Sequence, residues 1–139
     1  MGVEMKNIDR FDNWKLPNIE DGKPTKYNWI VQNTEKFELG YKTDIGAFTY
    51  INALHGVIIE DFVQIGSHCS IYSLSTIDSK NGKVHLKQNA RIGTHSTIMP
   101  NVTIGENSII GAYSFVTEDI PANVIAYGVP AKVRKSLND

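Results

Sequence analysis

Four histidines carry most of the acid–base potential of this chain: His55, His68, His85 and His95. Imidazole takes up and releases a proton near neutral pH, so each of them is a candidate general base. Two carboxylates, Glu60 and Asp61, follow His55 closely. The histidines are 13, 17 and 10 residues apart, which leaves no closely spaced pair to nucleate a metal site, and no metal is expected. Cys69 is the single cysteine. It allows no internal disulfide, and its place in the apolar pattern makes it a buried core thiol rather than a nucleophile.

A repeat fixes where these side chains stand. Leu86, Ile92, Ile98, Ile104, Ile110 and Val116 recur every six residues, with Gly93, Gly105 and Gly111 directly after three of them. Four residues after each aliphatic comes a small or branched residue: Ala90, Ser96, Val102, Ser108, Ser114. A helix repeats apolar residues at three and four, and a lone strand at two. A period of six suits one short strand plus a turn, stacked as coils whose strands pair at about 4.8 Å. Since one coil cannot bury its own interior, stability must come from the stack.

An earlier block, Tyr41 to Ile77, keeps the same phase through Ala53, Ile59, Ile65, Ile71 and Ile77, with Val57, Val63 and Cys69 four residues on. Ile45 and Ile51 fit this phase or a separate one. His68 and His95 share the context Ile-Gly-Ser/Thr-His and fall three after the aliphatic, on the outer surface. Between Ile77 and Leu86 the interval is nine. Three residues must therefore leave the coil as a loop near 78–85, with Asn81-Gly82 as its tight turn and His85 at its end.

Residues 1–40 lack the repeat and read as an irregular arm with a short strand near Trp29-Ile30-Val31. Its aromatics, Phe11, Trp14, Tyr27, Trp29 and Phe37, suit a cap on the open end of the solenoid or a stacking surface for a nucleotide base. The repeat region spans 41–120. Pro121 and Pro130 are expected to stop the ladder and leave a tail over 121–139 that is basic from Ala131 to Lys135. A net charge of −1 argues against nucleic acid or a charged membrane as partner. With no signal-peptide pattern and no apolar run long enough for a bilayer, a cytoplasmic location is expected.

The repeat, together with Asp119-Ile120-Pro121-Ala122-Asn123-Val124 and Gly128-Val129-Pro130-Ala131-Lys132-Val133, resembles the hexapeptide-repeat acyltransferases, in their sugar-acetyltransferase branch. The resemblance implies an all-β fold, a left-handed parallel β-helix. It also implies acetyl-CoA as acyl donor and a homotrimer with active sites between subunits. Small residues of the late coils and basic residues of the tail would hold CoA: Thr94, Gly111, Ala112, Thr117, Ala131, Lys132 and Lys135, with Glu118 where some relatives carry a lysine and Arg134 able to compensate.

The segment Asn52 to Phe62 is similar to the catalytic-histidine segment of bacterial sialic-acid and bacillosamine-type N-acetyltransferases, which implies His55 as base. Gly56 stands where they carry an acidic residue, so Asp61 or Glu60 would have to orient the ring. His68, His85 and Asp61 are further candidates for catalysis or substrate binding. The galactoside and maltose O-acetyltransferases place their base on a loop whose matching positions here are near Ser75 and Thr76, with no histidine. The reading that follows is N-acetylation of a nucleotide-linked amino sugar for a surface glycan such as lipopolysaccharide. Its alternative is O-acetylation of a sugar hydroxyl. A zinc enzyme like the γ-class carbonic anhydrases and a non-catalytic scaffold are the remaining readings.

Overall fold

The computed structural model describes residues 12–138, which excludes Phe11 from any account of the arm. The chain winds as a parallel β-solenoid whose coils each contribute one strand to three sheets. The first coil holds β1 (Ile30–Gln32), β2 (Phe37–Leu39) and β3 (Asp44–Ile45); the second holds β4 (Tyr50–Asn52), β5 (Val57–Ile59) and β6 (Gln64–Ile65). In the third, β7 (Ser70–Tyr72) is followed by a protruding antiparallel pair, β8 (Leu74–Ser75) and β9 (Lys80–Asn81), before β10 (Val84–Leu86) and β11 (Arg91–Ile92). The fourth is β12 (Thr97–Ile98), β13 (Thr103–Ile104) and β14 (Ile109–Ile110). The last comprises β15 (Phe115–Val116), an isolated bridge at Ile120, and β16 (Val124–Gly128), with β17 (Ala131–Ser136) folding back on β16.

The register puts one aliphatic above another. Val31, Ile51, Ile71, Ile98 and Val116 form one column, and Leu39, Ile59, Leu86, Ile104 and Ile120 a second. Nearly all of these are fully buried, each worth about 1.5–3 kcal/mol relative to exposure. Ser96, Ser108 and Ser114 fill the narrow corners, and their hydroxyls donate to backbone carbonyls of Gly111, Pro121 and Gly111 respectively.

Several expectations change. The solenoid begins within the supposed arm, because β1 and β2 pair with β4 and β5; the strand expected near Trp29 to Val31 is β1. Ile51, not Ala53, holds the column position, and Ala53 is buried just beyond the strand. Ile77 keeps no core place: it is 98% exposed in the β8–β9 turn. The loop is larger than three residues and starts at Leu74. Its turn is Thr76 to Ser79, while Asn81 lies in a strand rather than in the turn. Pro121 does not end the ladder either. β16 adds in parallel to β14 beyond it, and the edge is closed by the antiparallel β17.

Two corners are built on left-handed residues. At the turn into the first sheet, Asn28, Phe48, His68, His95 and Tyr113 all have φ between 57° and 66°. Their stacked geometry aligns the rings: His68 and His95 are parallel at 4.7 Å, as are His95 and Tyr113. At the turn into the third sheet, the Asn89, Asn107 and Asn123 amides form a hydrogen-bonded ladder, each bond 2.9 Å. Asparagine tolerates this conformation better than most residues.

Candidate functional site

The structure distributes the four histidines over three places. His55 sits exposed at the turn between β4 and β5. Its backbone N–H donates to Ser73 Oγ at 3.0 Å, and no carboxylate among the described residues bonds its ring. The two carboxylates expected to orient it are engaged elsewhere. Asp61 Oδ1 accepts the Tyr41 N–H at 2.8 Å, and Glu60 turns to His85. His68 and His95 are exposed, as expected of outer positions, and stack on one another; His95 Nδ1 also hydrogen-bonds Thr94 Oγ1 at 2.9 Å.

His85 lies at the centre of β10, between buried Val84 and Leu86, so its side chain projects outward. Glu60 belongs to the preceding coil. Its own N–H donates to Leu86 O at 3.0 Å, which places its carboxylate beside β10. One oxygen of that carboxylate, Oε2, bonds His85 Nε2, and the other accepts the Gln88 N–H at 3.0 Å. Both side chains are about two-thirds to three-quarters shielded. Sequence reading named both residues but did not join them. The signal was available in principle, since pairing Ile59 with Leu86 sets Glu60 next to this stretch, but it required the true length of the insertion.

The expected CoA residues fall into two groups. Thr94, Gly111 and Ala112 meet at the corner between the third and first sheets, with Thr94 Oγ1 donating to Ser67 O at 2.8 Å. This corner admits no bulk. A Cβ on Gly93 would stand 2.5 Å from Ala112 N, and one on Gly66 2.7 Å from Thr94 N. A shallow groove of about 310 Å³ runs along it, past Gly66, Gly93 and Thr94. Ala131, Lys132 and Lys135 lie on β17, opposite Gly128, Tyr127 and Ile125 of β16, at the end of the same sheet. Arg134 is held against Tyr127, its Nε donating to Tyr127 O at 3.2 Å and its guanidinium 5.1 Å from that ring. Thr117 is apart from both groups, at the far end of β15.

A cavity of about 360 Å³ is remote from these residues. It lies between the arm and the first coil, with Trp14, Tyr27 and Trp29 among its walls. Trp14 closes it by donating its indole N–H to Thr43 O at 2.8 Å, and Trp29 is buried against Phe37, as a cap requires. No group of three or more histidine, cysteine or acidic side chains is arranged for a metal among the described residues. No helix among them is long and apolar enough to cross a membrane.

Residues 83–118 match the family model described as bacterial transferase hexapeptide (six repeats). An acetyltransferase assigned in Staphylococcus aureus is 36% identical over 138 residues, covering 95% of this chain and 69% of its own. The chain belongs to the hexapeptide-repeat acetyltransferase family. Within that family, it is 39% identical over 119 residues to the galactoside O-acetyltransferase of Escherichia coli, covering 74% of this chain but only 58% of that enzyme. A solved galactoside acetyltransferase in complex with coenzyme A is similar in fold (TM-score 0.72, 30% identity, 80% of this chain and 60% of that one). So is AntD, an N-acyltransferase from Bacillus cereus solved with dTDP and coenzyme A (TM-score 0.67, 26% identity, 81% of this chain and 79% of that one).

Proposed function

We propose that this hexapeptide-repeat protein transfers an acetyl group from acetyl-CoA to a hydroxyl of a sugar. The observation that carries the reading is the glycine-floored corner at Gly66, Gly93 and Gly111, ending on the basic strand β17. A thin pantetheine arm needs close approach to backbone, and lysines at its end act as point charges toward phosphate. The galactoside O-acetyltransferase relatives support a hydroxyl acceptor over the amino sugar expected from sequence. A second reading, an amino acceptor on a nucleotide-linked sugar, is favoured by two observations. The hairpin from Leu74 to Asn81 presents Ser75 and Thr76 but no histidine, and the N-acyltransferase AntD is matched over most of its length. In either case the assembly is a homotrimer, with His68 and His95 facing the subunit boundary; sedimentation reads it directly.

The test is acetyl-CoA binding. Ala112 is exposed beside the groove, so Ala112→Trp should leave the fold intact and abolish binding measured by calorimetry. Unchanged affinity places the donor elsewhere on the molecule, and a wild type that binds no acetyl-CoA contradicts the reading altogether.

A further inference from the structure

We infer that His85 is the proton acceptor of this transfer and that Glu60, from the neighbouring coil, is its positioning residue; the inference rests on the acyl-transfer reading above. Among the four histidines, His85 alone is held by a carboxylate. A carboxylate accepts, so the imidazole must present Nε2–H to Glu60, and the lone pair of the neutral ring is then on Nδ1. Nothing among the described residues bonds that nitrogen. An acid that fixes the tautomer and compensates the imidazolium is the logic of the hydrolase triads. Here the orienting acid is itself clamped, since its second oxygen is taken by the Gln88 N–H. Hence the carboxylate is fixed at both oxygens, and swinging it away from the ring would break both bonds.

The surroundings suit the step. In the next coil Thr103 is the register partner of His85, and an open hollow of about 560 Å³ begins there, lined by Lys87, Thr103, Asp119 and Ala122. This face is not the one that carries the groove, so in the homotrimer proposed above the thioester reaches His85 from the groove of a neighbouring subunit. Lys87, two residues after His85 on the same strand side, brings a cation to the rim to meet the charge developing on the thioester oxygen. As the sugar oxygen bonds to the thioester carbonyl carbon, its proton passes to Nδ1. The tetrahedral intermediate then collapses by breaking the carbon–sulfur bond. The imidazolium returns the proton to the departing thiolate, giving the acetyl ester and free CoA thiol with no change of oxidation state. An amine acceptor would follow the same path to an amide.

The test compares acetyl-CoA-dependent thiol release in wild type, His85→Ala, His85→Gln, Glu60→Gln and His55→Ala. His85→Ala should lose about a hundredfold to ten-thousandfold in kcat, with affinity for acetyl-CoA unchanged and partial recovery on adding imidazole. His85→Gln can still hold Glu60 through its amide, so it should be equally inactive while melting like wild type. Glu60→Gln should fall by less, again in kcat rather than KM for the donor. A fully active His85→Ala, or a loss seen only in His55→Ala, overturns the pair while leaving acyl transfer standing. A loss that imidazole does not repair, accompanied by weakened donor binding, makes the pair a structural clasp and also overturns it. Silence of the wild type with every acceptor overturns both readings together.

Discussion

Cys69 shows how the stack treats a single reactive side chain. Its sulfur is fully buried, with the thiol directed at Gly93 O at 3.3 Å. Burial pushes the thiol above its ordinary pKa because a thiolate there would lose its hydration, and hydrogen bonds only partly oppose this. An aromatic disulfide reagent should therefore label native Cys69 far more slowly than the urea-unfolded chain; equal rates would contradict the burial. A folded-state pKa above the unfolded one contributes stability that is whole below the unfolded value of about 8.5. That stability is lost as pH rises toward the folded value. Urea midpoints should thus fall on the alkaline side, and Cys69→Ala should lack that part of the fall. The burial of Cys69 was legible from its place four residues after Ile65. The pairing of His85 with Glu60 was not, because two residues 25 apart become neighbours only once the number of residues between coils is known.

At the scale of the element, that number is where the period misleads. The column Val31, Ile51, Ile71, Ile98, Val116 advances by 20, 20, 27 and 18 residues. Only the last coil step keeps a strict multiple of six. The first and second coils carry two extra residues between their first and second strands, and the third carries nine because the β8–β9 hairpin leaves there, so counting in sixes from Ile71 lands on Ile77, which is outside. Glycine-marked corners were legible; the long corners, which lack that mark, were not. The same corners make a sharp prediction. In Gly93→Ala the new methyl would meet Ala112 N at 2.5 Å, a Cβ fixed to one coil against the backbone of the next, so neither coil can yield by a rotamer change. A loss of about 1–3 kcal/mol is expected, measured by urea unfolding. A variant as stable as wild type would show that the coils are spaced more loosely than this.

On the scale of the whole molecule, the protein is a short prism capped at one end by Trp14 and Trp29 and at the other by the β16–β17 hairpin. Between the caps, two outward surfaces stand out. One corner carries both the glycine-floored groove and, beside it, the stacked rings of Phe48, His68, His95 and Tyr113, while the second sheet carries His85 with Glu60. Family and fold were legible in the repeat and the terminal motif. The acceptor was not, because it is chosen by outward side chains, which no internal period encodes. The most direct measurement is mass spectrometry of acceptors incubated with the purified chain and acetyl-CoA, using galactosides, other plain sugars and nucleotide-linked amino sugars side by side. The account predicts one acetyl group on a plain sugar hydroxyl, matched by an equal amount of free CoA thiol. Acetylation of the amino sugars alone would contradict the hydroxyl reading, and a folded protein that acetylates no sugar in the panel would contradict the account as a whole.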